Sequence, residues 1–390
     1  MNIKKFLARQ DVKDLIANND LKAVYGLSPY YERGKLSNYL LKLGLSGEEI
    51  ISYFGDIILK GTFALCNRLK SITIPKGVTT IGAFAFSSCS KLTSITIPDS
   101  VTDIGNDAFK ACDKLTSITI PNGVTTIAES TFQFCRNLTS IDIPNSVTSI
   151  GQFAFDSCDS LTSITIPDSV TSIDHMAFAW CRNLTTVILG QNSKLVNVGD
   201  GLFTGCDKLT NIIVDKKNRA FSSIGNCLIE TATKTLLAGN NNSVIPADGS
   251  VTSIGDHAFS GCTNLISIDI PAGVTDIGFN AFHNCHSLTN ITIPDSVTSI
   301  SPRAFADCTR LSSVTILDGV TSIGGYAFGA CMSLSSINIP ESIVEINDFA
   351  FSKCARLQDI YYAGTKEEWE QIQIGIDNTA LTNANIHFAK

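Results

Sequence analysis

Between Asn145 and Pro167 the chain reads NSVTSIGQFAFDSCDSLTSITIP, and the stretches on either side say nearly the same thing again. A phrase returning every 23 residues marks a stacked solenoid, in which each repeat is one coil and packs mainly on its neighbours. One phenylalanine counts the coils as twelve: Phe63, Phe86, Phe109, Phe132, Phe155, Phe178, Phe203, Phe259, Phe282, Phe305, Phe328 and Phe351. A cysteine follows each of them three residues later, from Cys66 to Cys354, and a leucine three residues after that, from Leu69 to Leu357. Slots that tolerate so little change in volume point into a close-packed interior.

Inside the phrase, the alternation Ser-Ile-Thr-Ile places the two isoleucines on one face of a short strand and the hydroxyls on the other. Proline ends that strand by removing the next ladder donor, and Asp-Ser, Asn-Gly or Asp-Gly supplies the turn. Glycine after Val-Thr-Ser-Ile offers a permissive backbone where the chain bends again. Ala-Phe-x-x-Cys then reads as a helical or 3₁₀ turn. Of thirteen cysteines, twelve share one slot and Cys227 lies in an insertion. A ladder of equivalent cysteines reads as a small, weakly polar core filler, bridges between neighbouring rungs being the alternative.

Residues 1–58 lack the repeat. Asp11 can cap VKDLIANN, and Ser28-Pro29 is an N-cap followed by proline at the first helical position. Leu36, Tyr39, Leu40 and Leu43 then share one helical face, and Ser46-Gly47-Glu48-Glu49 has capping-box spacing. This block is read as an end cap over the first coil, or else as a docking module. The repeat array occupies 59–364. Its spacing lengthens from 23 to 25 residues between Phe178 and Phe203, and to 56 between Phe203 and Phe259. The inserted region, 215–250, predicts a hairpin of Cys227–Glu230 and Thr235–Ala238 that leaves one edge open. Residues 365–390 read as the carboxy-terminal cap. There Thr365 opens a short helix, Trp369 and Ile372 share a face, and Ile386 and Phe388 alternate in a last strand.

The unit Cys-x-x-Leu-x-x-Ile-x-Ile-Pro-x-x-Val-x-x-Ile-Gly-x-x-Ala-Phe-x-x-Cys resembles the leucine-rich repeats of the BspA-like (treponemal) class. The insertion AFSSIGNCLIETATKTLLAG and the tail IYYAGTKEEWEQI are similar to segments of such proteins. The resemblance spans about residues 60–390. It implies an α/β fold: a leucine-rich-repeat solenoid of about twelve 23-residue coils with a parallel β ladder, preceded by a small helical region. It also implies a surface used for binding, often in adhesins of host-associated bacteria.

Net charge is −7 with no basic block, which argues against a nucleic-acid partner. No apolar run approaches the roughly 18–20 residues of a membrane span. The start, MNIKKFLARQDVKDLI, lacks an apolar signal-peptide core, so sequence alone points to the cytoplasm while the resemblance points to the cell surface. No nucleophile elbow, phosphate-binding loop, His-Glu-x-x-His or Cys-x-x-Cys motif occurs. No enzyme and no cofactor is expected. His283 and His286 flank Cys285, but that cysteine is a core slot, so no metal site is expected either.

The outward strand positions are nearly uniform serine and threonine, a solvated face. The variable slots lie around Ala-Phe-x-x-Cys and carry Phe84, Phe134, Phe153, His175, Trp180, His257, Phe279, His283, Tyr326 and Phe349. Aromatics at variable slots suit a recognition surface; the alternative is that the rings half-bury in grooves between coils. The reading is a non-enzymatic protein presenting a rigid repeat surface to a macromolecule, a protein before a glycan. The rival is an assembly component whose amino-terminal helices dock while the solenoid acts as a spacer.

Overall fold

The structure, a computed structural model, describes residues 29–42, 44–54, 57–190 and 192–390. Asp11 and Ser28, two of the proposed caps, and Leu43 lie outside the described residues. The described chain forms two compact units, one ending at Cys181 and the other running Arg182–Lys390. The division falls just before the first lengthening of the repeat.

In both units the coils are those of a parallel β-solenoid. The twelve repeat phenylalanines and all thirteen cysteines are buried. In the first unit Phe63, Phe86, Phe109, Phe132, Phe155 and Phe178 stack as successive near-parallel rings 5.1–5.6 Å apart. In the second, Phe259, Phe282, Phe305, Phe328 and Phe351 do the same at 4.9–5.5 Å. The cysteines are free and do more than fill space. Each thiol from Cys89 to Cys181 donates to the carbonyl of the phenylalanine one coil back, Cys89 to Phe63 at 3.0 Å and Cys158 to Phe132 at 3.3 Å. Cys285, Cys308, Cys331 and Cys354 repeat the bond in the second unit. Burial raises the Cys89 and Cys135 thiols to about 12, so they stay protonated donors.

The Ser-Ile-Thr-Ile strands pair in parallel and in register, Ser71–Thr73 with Ser94–Thr96 and Asn290–Ile293 with Ser313–Ile316. Residues 117–120, 140–143 and 267–270 form no regular strand, the first two meeting only in the parallel bridge of Thr119 with Asp142. A second, two-residue ladder runs through the Val-Thr-Ser-Ile segments, as Thr80–Ile81 against Asp103–Ile104. The glycine after it serves close approach rather than an unusual φ. A Cβ on Gly105 would lie 2.5 Å from the Ala83 nitrogen, and one on Gly324 2.6 Å from the Pro302 nitrogen. Larger residues at Ala128, Asp174, Ser301 and Asn347 show that individual coils adjust.

Helices Pro29–Lys42 and Gly47–Phe54 sit against the first coil. Ser37 Oγ donates to the Thr62 carbonyl at 2.5 Å, the Cys66 thiol donates to the Gly34 carbonyl at 3.2 Å, and the Glu48 carboxylate accepts the Thr73 N–H at 2.7 Å. Of the predicted helical face, Leu40 is buried; the Leu36 and Tyr39 side chains lie outside the described set. Ser46 and Glu49 make the reciprocal capping bonds. At the other end Thr365 and Glu368 form a capping box, and Trp369 and Ile372 are buried.

The insertion departs from expectation. Its hairpin strands do pair antiparallel, but neither of them is the edge of the sheet, which falls at Phe221–Ile224. Phe221–Ile224 pairs with Cys227–Glu230 on one side, and Thr235–Ala238 continues in parallel with Ser253–Ile254 on the other. Gly239 then takes the place of a core phenylalanine. Its N–H donates to Ala258 at 2.8 Å, the Cys262 thiol faces its carbonyl, and a Cβ there would lie 2.0 Å from the Phe259 ring. The insertion hides an additional, degenerate coil.

Candidate functional site

The Ala-Phe-x-x-Cys segment is neither α-helical nor 3₁₀. It is a run of overlapping turns whose N–H groups alternate in direction. Ala85, Ser87 and Cys89 bond back to Gly82, Phe84 and Phe86, while Phe84, Phe86 and Ser88 donate to Asn106, Ala108 and Lys110 of the next coil at 2.7–2.9 Å. A left-handed residue stands two positions before the core phenylalanine and another two after it, as at Phe84 (φ 57°) and Ser88 (φ 59°). A non-glycine residue there costs about 1–2 kcal/mol, which the inter-coil hydrogen bonds, at about 0.5–1.5 kcal/mol each, offset. This turn face is therefore as rigidly laddered as the strand face.

The candidate rings sit on this frame in three slots. Phe84, Phe153, His257, Tyr326 and Phe349 precede the core phenylalanine by two residues; Phe134 and Trp180 follow it by two; His175 and Phe279 precede it by three. The first two groups all have φ between 55° and 62°, a region in which bulky side chains are uncommon and glycine, asparagine and aspartate are at home. Phe279 and Tyr326 are 39% and 38% exposed; the other seven are half-buried.

The rings meet as coil-to-coil pairs rather than as one row. In the first unit Phe153 and His175 pack edge to face at 5.8 Å. Asp107 and Ser130 hold the slot between Phe84 and Phe153. In the second unit His257 meets Phe279 at 5.5 Å, and Tyr326 stacks on Phe349 at 4.7 Å with rings parallel. Asn280 and Arg303 occupy the slot between His257 and Tyr326.

Cations accompany the rings, which the sequence reading passed over. Lys60 lies 5.5 Å over Phe84 and Arg136 5.5 Å over Phe134, the latter guanidinium held by Asp113 (3.3 Å) and Asp159 (3.7 Å). Arg303 lies 5.3 Å over Tyr326. Arg303 and Asp307 share the same left-handed slots as the aromatics, so the repeat register alone marks them. Beneath Phe134, the buried Asp156 accepts from Gln133 at 2.7 Å and from Ser157 at 3.0 Å. Burial still raises its pKa against those bonds.

A cleft of about 190 Å³ opens on this face of the second unit between His283, Arg303, Asp307, Tyr326, Ser352 and Lys353. His283 Nε2 stands 3.3 Å from the Asp307 carboxylate. Burial lowers the His283 pKa, outweighing the attraction of Asp307. His286 bonds through Nδ1 to the Asp307 carbonyl at 2.9 Å. Among the described residues no group of three or more His, Cys, Asp or Glu is arranged to hold a metal ion. What the face offers is aromatic rings with guanidinium and carboxylate groups beside them, the composition of energetic centres in protein interfaces.

The model for the BspA type leucine-rich repeat region matches residues 56–185, 125–248 and 239–358. A leucine-rich cell surface protein from Faecalibacterium prausnitzii is 35% identical, with a TM-score of 0.69 over 78% of this chain and 82% of that one. The pneumococcal vaccine antigen PcpA shares the fold at 22% identity, with a TM-score of 0.64 over 83% of this chain and 89% of that one. A leucine-rich-repeat protein from Eubacterium ventriosum also shares it, at 22% identity and a TM-score of 0.59, over 75% and 73% of the two chains. No curated protein matches. Among the described residues no helix is long and apolar enough to cross a membrane.

Proposed function

The chain belongs to the BspA-type leucine-rich-repeat family, and from that premise we propose a non-enzymatic binding protein whose turn face engages a protein partner in adhesion or host contact. One observation carries this reading. Phenylalanine, tryptophan, tyrosine and histidine stand at left-handed positions where smaller residues are better suited, and their side chains stay outside the buried core. Backbone strain of this kind persists where the surrounding structure holds it, and binding surfaces are among the places it collects. The hydrogen-bonded ladder beneath keeps the rings pre-organised, which lowers the ordering cost of association. The likeness to a cell surface protein supports a surface location for this chain.

The rival reading, assembly through the amino-terminal helices, has less support. Those helices spend Ser37, Gly34 and Glu48 on the first coil, which favours an end cap. The test coats beads with the purified protein and with a Phe153→Ser, Trp180→Ser, Tyr326→Ser variant, then counts attachment to epithelial monolayers. Loss of attachment with the melting temperature nearly unchanged is the expected result. Undiminished attachment by a variant that melts early would mean these rings are packing.

A further inference from the structure

The strand face of the second unit changes character at its carboxy-terminal end. Thr315, Asn338, Tyr361 and His387 are consecutive cross-strand partners on Ser313–Ile316, Ser336–Ile339, Asp359–Tyr362 and Asn385–Phe388. They form one outward row, in the slot that holds threonine in Ser71–Thr73 and Ser94–Thr96. Adjacent strands lie about 4.8 Å apart, so the row is a ruler of side chains at fixed spacing. A groove of about 390 Å³ runs over it, bounded also by Leu317 and Asp318, within the size range of small-molecule sites.

The row is built rather than merely exposed. The Tyr361 and His387 rings stack at 4.9 Å with 18° between their planes. His387 Nε2 is held at 2.8 Å from the Asp359 carboxylate. One face of Tyr361 is thus covered by a pinned imidazole, and the opposite face turns toward its other neighbour in the ladder, Asn338. Tyr361 remains 48% exposed. A flat apolar ring face next to an amide, a hydroxyl and a carboxylate matches a pyranose, which has an apolar C–H face and a rim of hydroxyl donors and acceptors.

Two observations narrow the ligand. Among the described residues, Asp318 lines the groove, Asp359 holds the groove-lining His387, and Lys390 is paired with Glu341, so carboxylates outnumber cations there and an anionic sugar is disfavoured. The groove lies across the side-chain face of these paired strands, while the edge of the sheet is Asn385–Phe388, so a peptide lying in the groove would not extend the ladder. We propose that this groove binds a neutral oligosaccharide, one pyranose stacking on Tyr361 and its hydroxyls meeting Asn338, Thr315 and Asp318. This site lies on the strand face and stands independently of the protein-binding reading of the turn face.

The test is saturation-transfer NMR on the full chain with maltotriose, cellotriose, xylotriose and N,N′,N″-triacetylchitotriose as probes. Saturable transfer to at least one is expected, with Tyr361→Ala weakening it by about tenfold, the size expected for one lost aromatic contact. Asn338→Ala should weaken it less, and Phe153→Ser should leave it intact. Melting curves confirm that Tyr361→Ala is folded. No transfer from any probe overturns the proposal. So does transfer that survives Tyr361→Ala, and so does loss of bead attachment in Tyr361→Ala without saccharide binding, which would assign the groove to the protein interface.

Discussion

The strands Ser71–Thr73 and Ser94–Thr96 near the start of the first unit and the strands Ser336–Ile339 and Asp359–Tyr362 near the end of the second are built on one plan. Each pairs in parallel and in register, and each buries an isoleucine at the same slot, Ile72 and Ile95 in one place, Ile337 and Ile360 in the other. Apart from Tyr362, buried in an inward slot that elsewhere holds isoleucine, the difference lies in side chains facing away from the core: Ser71, Thr73, Ser94 and Thr96 against Ser336, Asn338, Asp359 and Tyr361. One scaffold thus carries a blank, solvated face in the first place and an aromatic, hydrogen-bonding groove in the second. Outward slots contribute little to the fold, so chemistry can be written there without touching the ladder.

If the interiors are truly common to both units, three measurements should say so in descending order of effect. The largest concerns the thiols. An unfolded cysteine loses its proton near pH 8.5, while burial holds Cys89 and Cys135 in the first unit and Cys354 in the second up to about 12. Between those values the folded state keeps protons that the unfolded state has lost, so stability is complete below the unfolded pKa and falls as pH rises. Each such thiol contributes up to about 1.4 kcal/mol per pH unit. Urea midpoints should therefore drop steeply from about pH 9 upward, with both units unfolding before about pH 12. One unit surviving alkali would break the comparison.

Next in size are the ring columns. Phe155→Ala and Phe328→Ala each remove one ring from a stack, and each should cost about 3–5 kcal/mol in chemical denaturation. Phe153→Ala, two residues from Phe155 but half-buried on the turn face, should cost about 1 kcal/mol or less beyond any relief of its left-handed backbone. Unequal losses at Phe155 and Phe328 would show that the two cores differ. The smallest effect sharpens the contrast between the strand faces. Thr96→Tyr in the first unit should change stability by no more than about 0.5 kcal/mol in either direction, because its slot faces solvent. A large loss there would mean that the blank face is already constrained.

The solenoid, the strand alternation and the buried slots were legible because every coil presents the same interior environment, and twelve repetitions make each slot stand out. The turn face was misread as a helical turn because Ala-Phe-x-x-Cys has helix-like spacing. Its N–H groups choose partners in the next coil, and nothing local in those five residues announces it. Gly239 was invisible for a related reason: a core phenylalanine slot occupied by glycine has no sequence signature until the Phe259 ring is seen to lie over it. The aromatic candidates were found by their variability. Arg136, Arg303 and Asp307 were passed over although they share that variability, and Tyr361 and His387 because the outward strand slots had been taken as uniform.

Residue order alone determined what points inward: a coil that must bury Phe, Cys, Leu and Ile at fixed intervals has one way to stack, and the repeat spells it out. Folding decided what meets on the outside. Asn338, Tyr361 and His387 are more than 20 residues apart in the chain and become neighbours only through strand register. The thiols likewise found their acceptors, the phenylalanine carbonyls, one coil back. Burial is a property each residue carries in its own side chain, whereas a site is a relation between residues, and distance in space creates it.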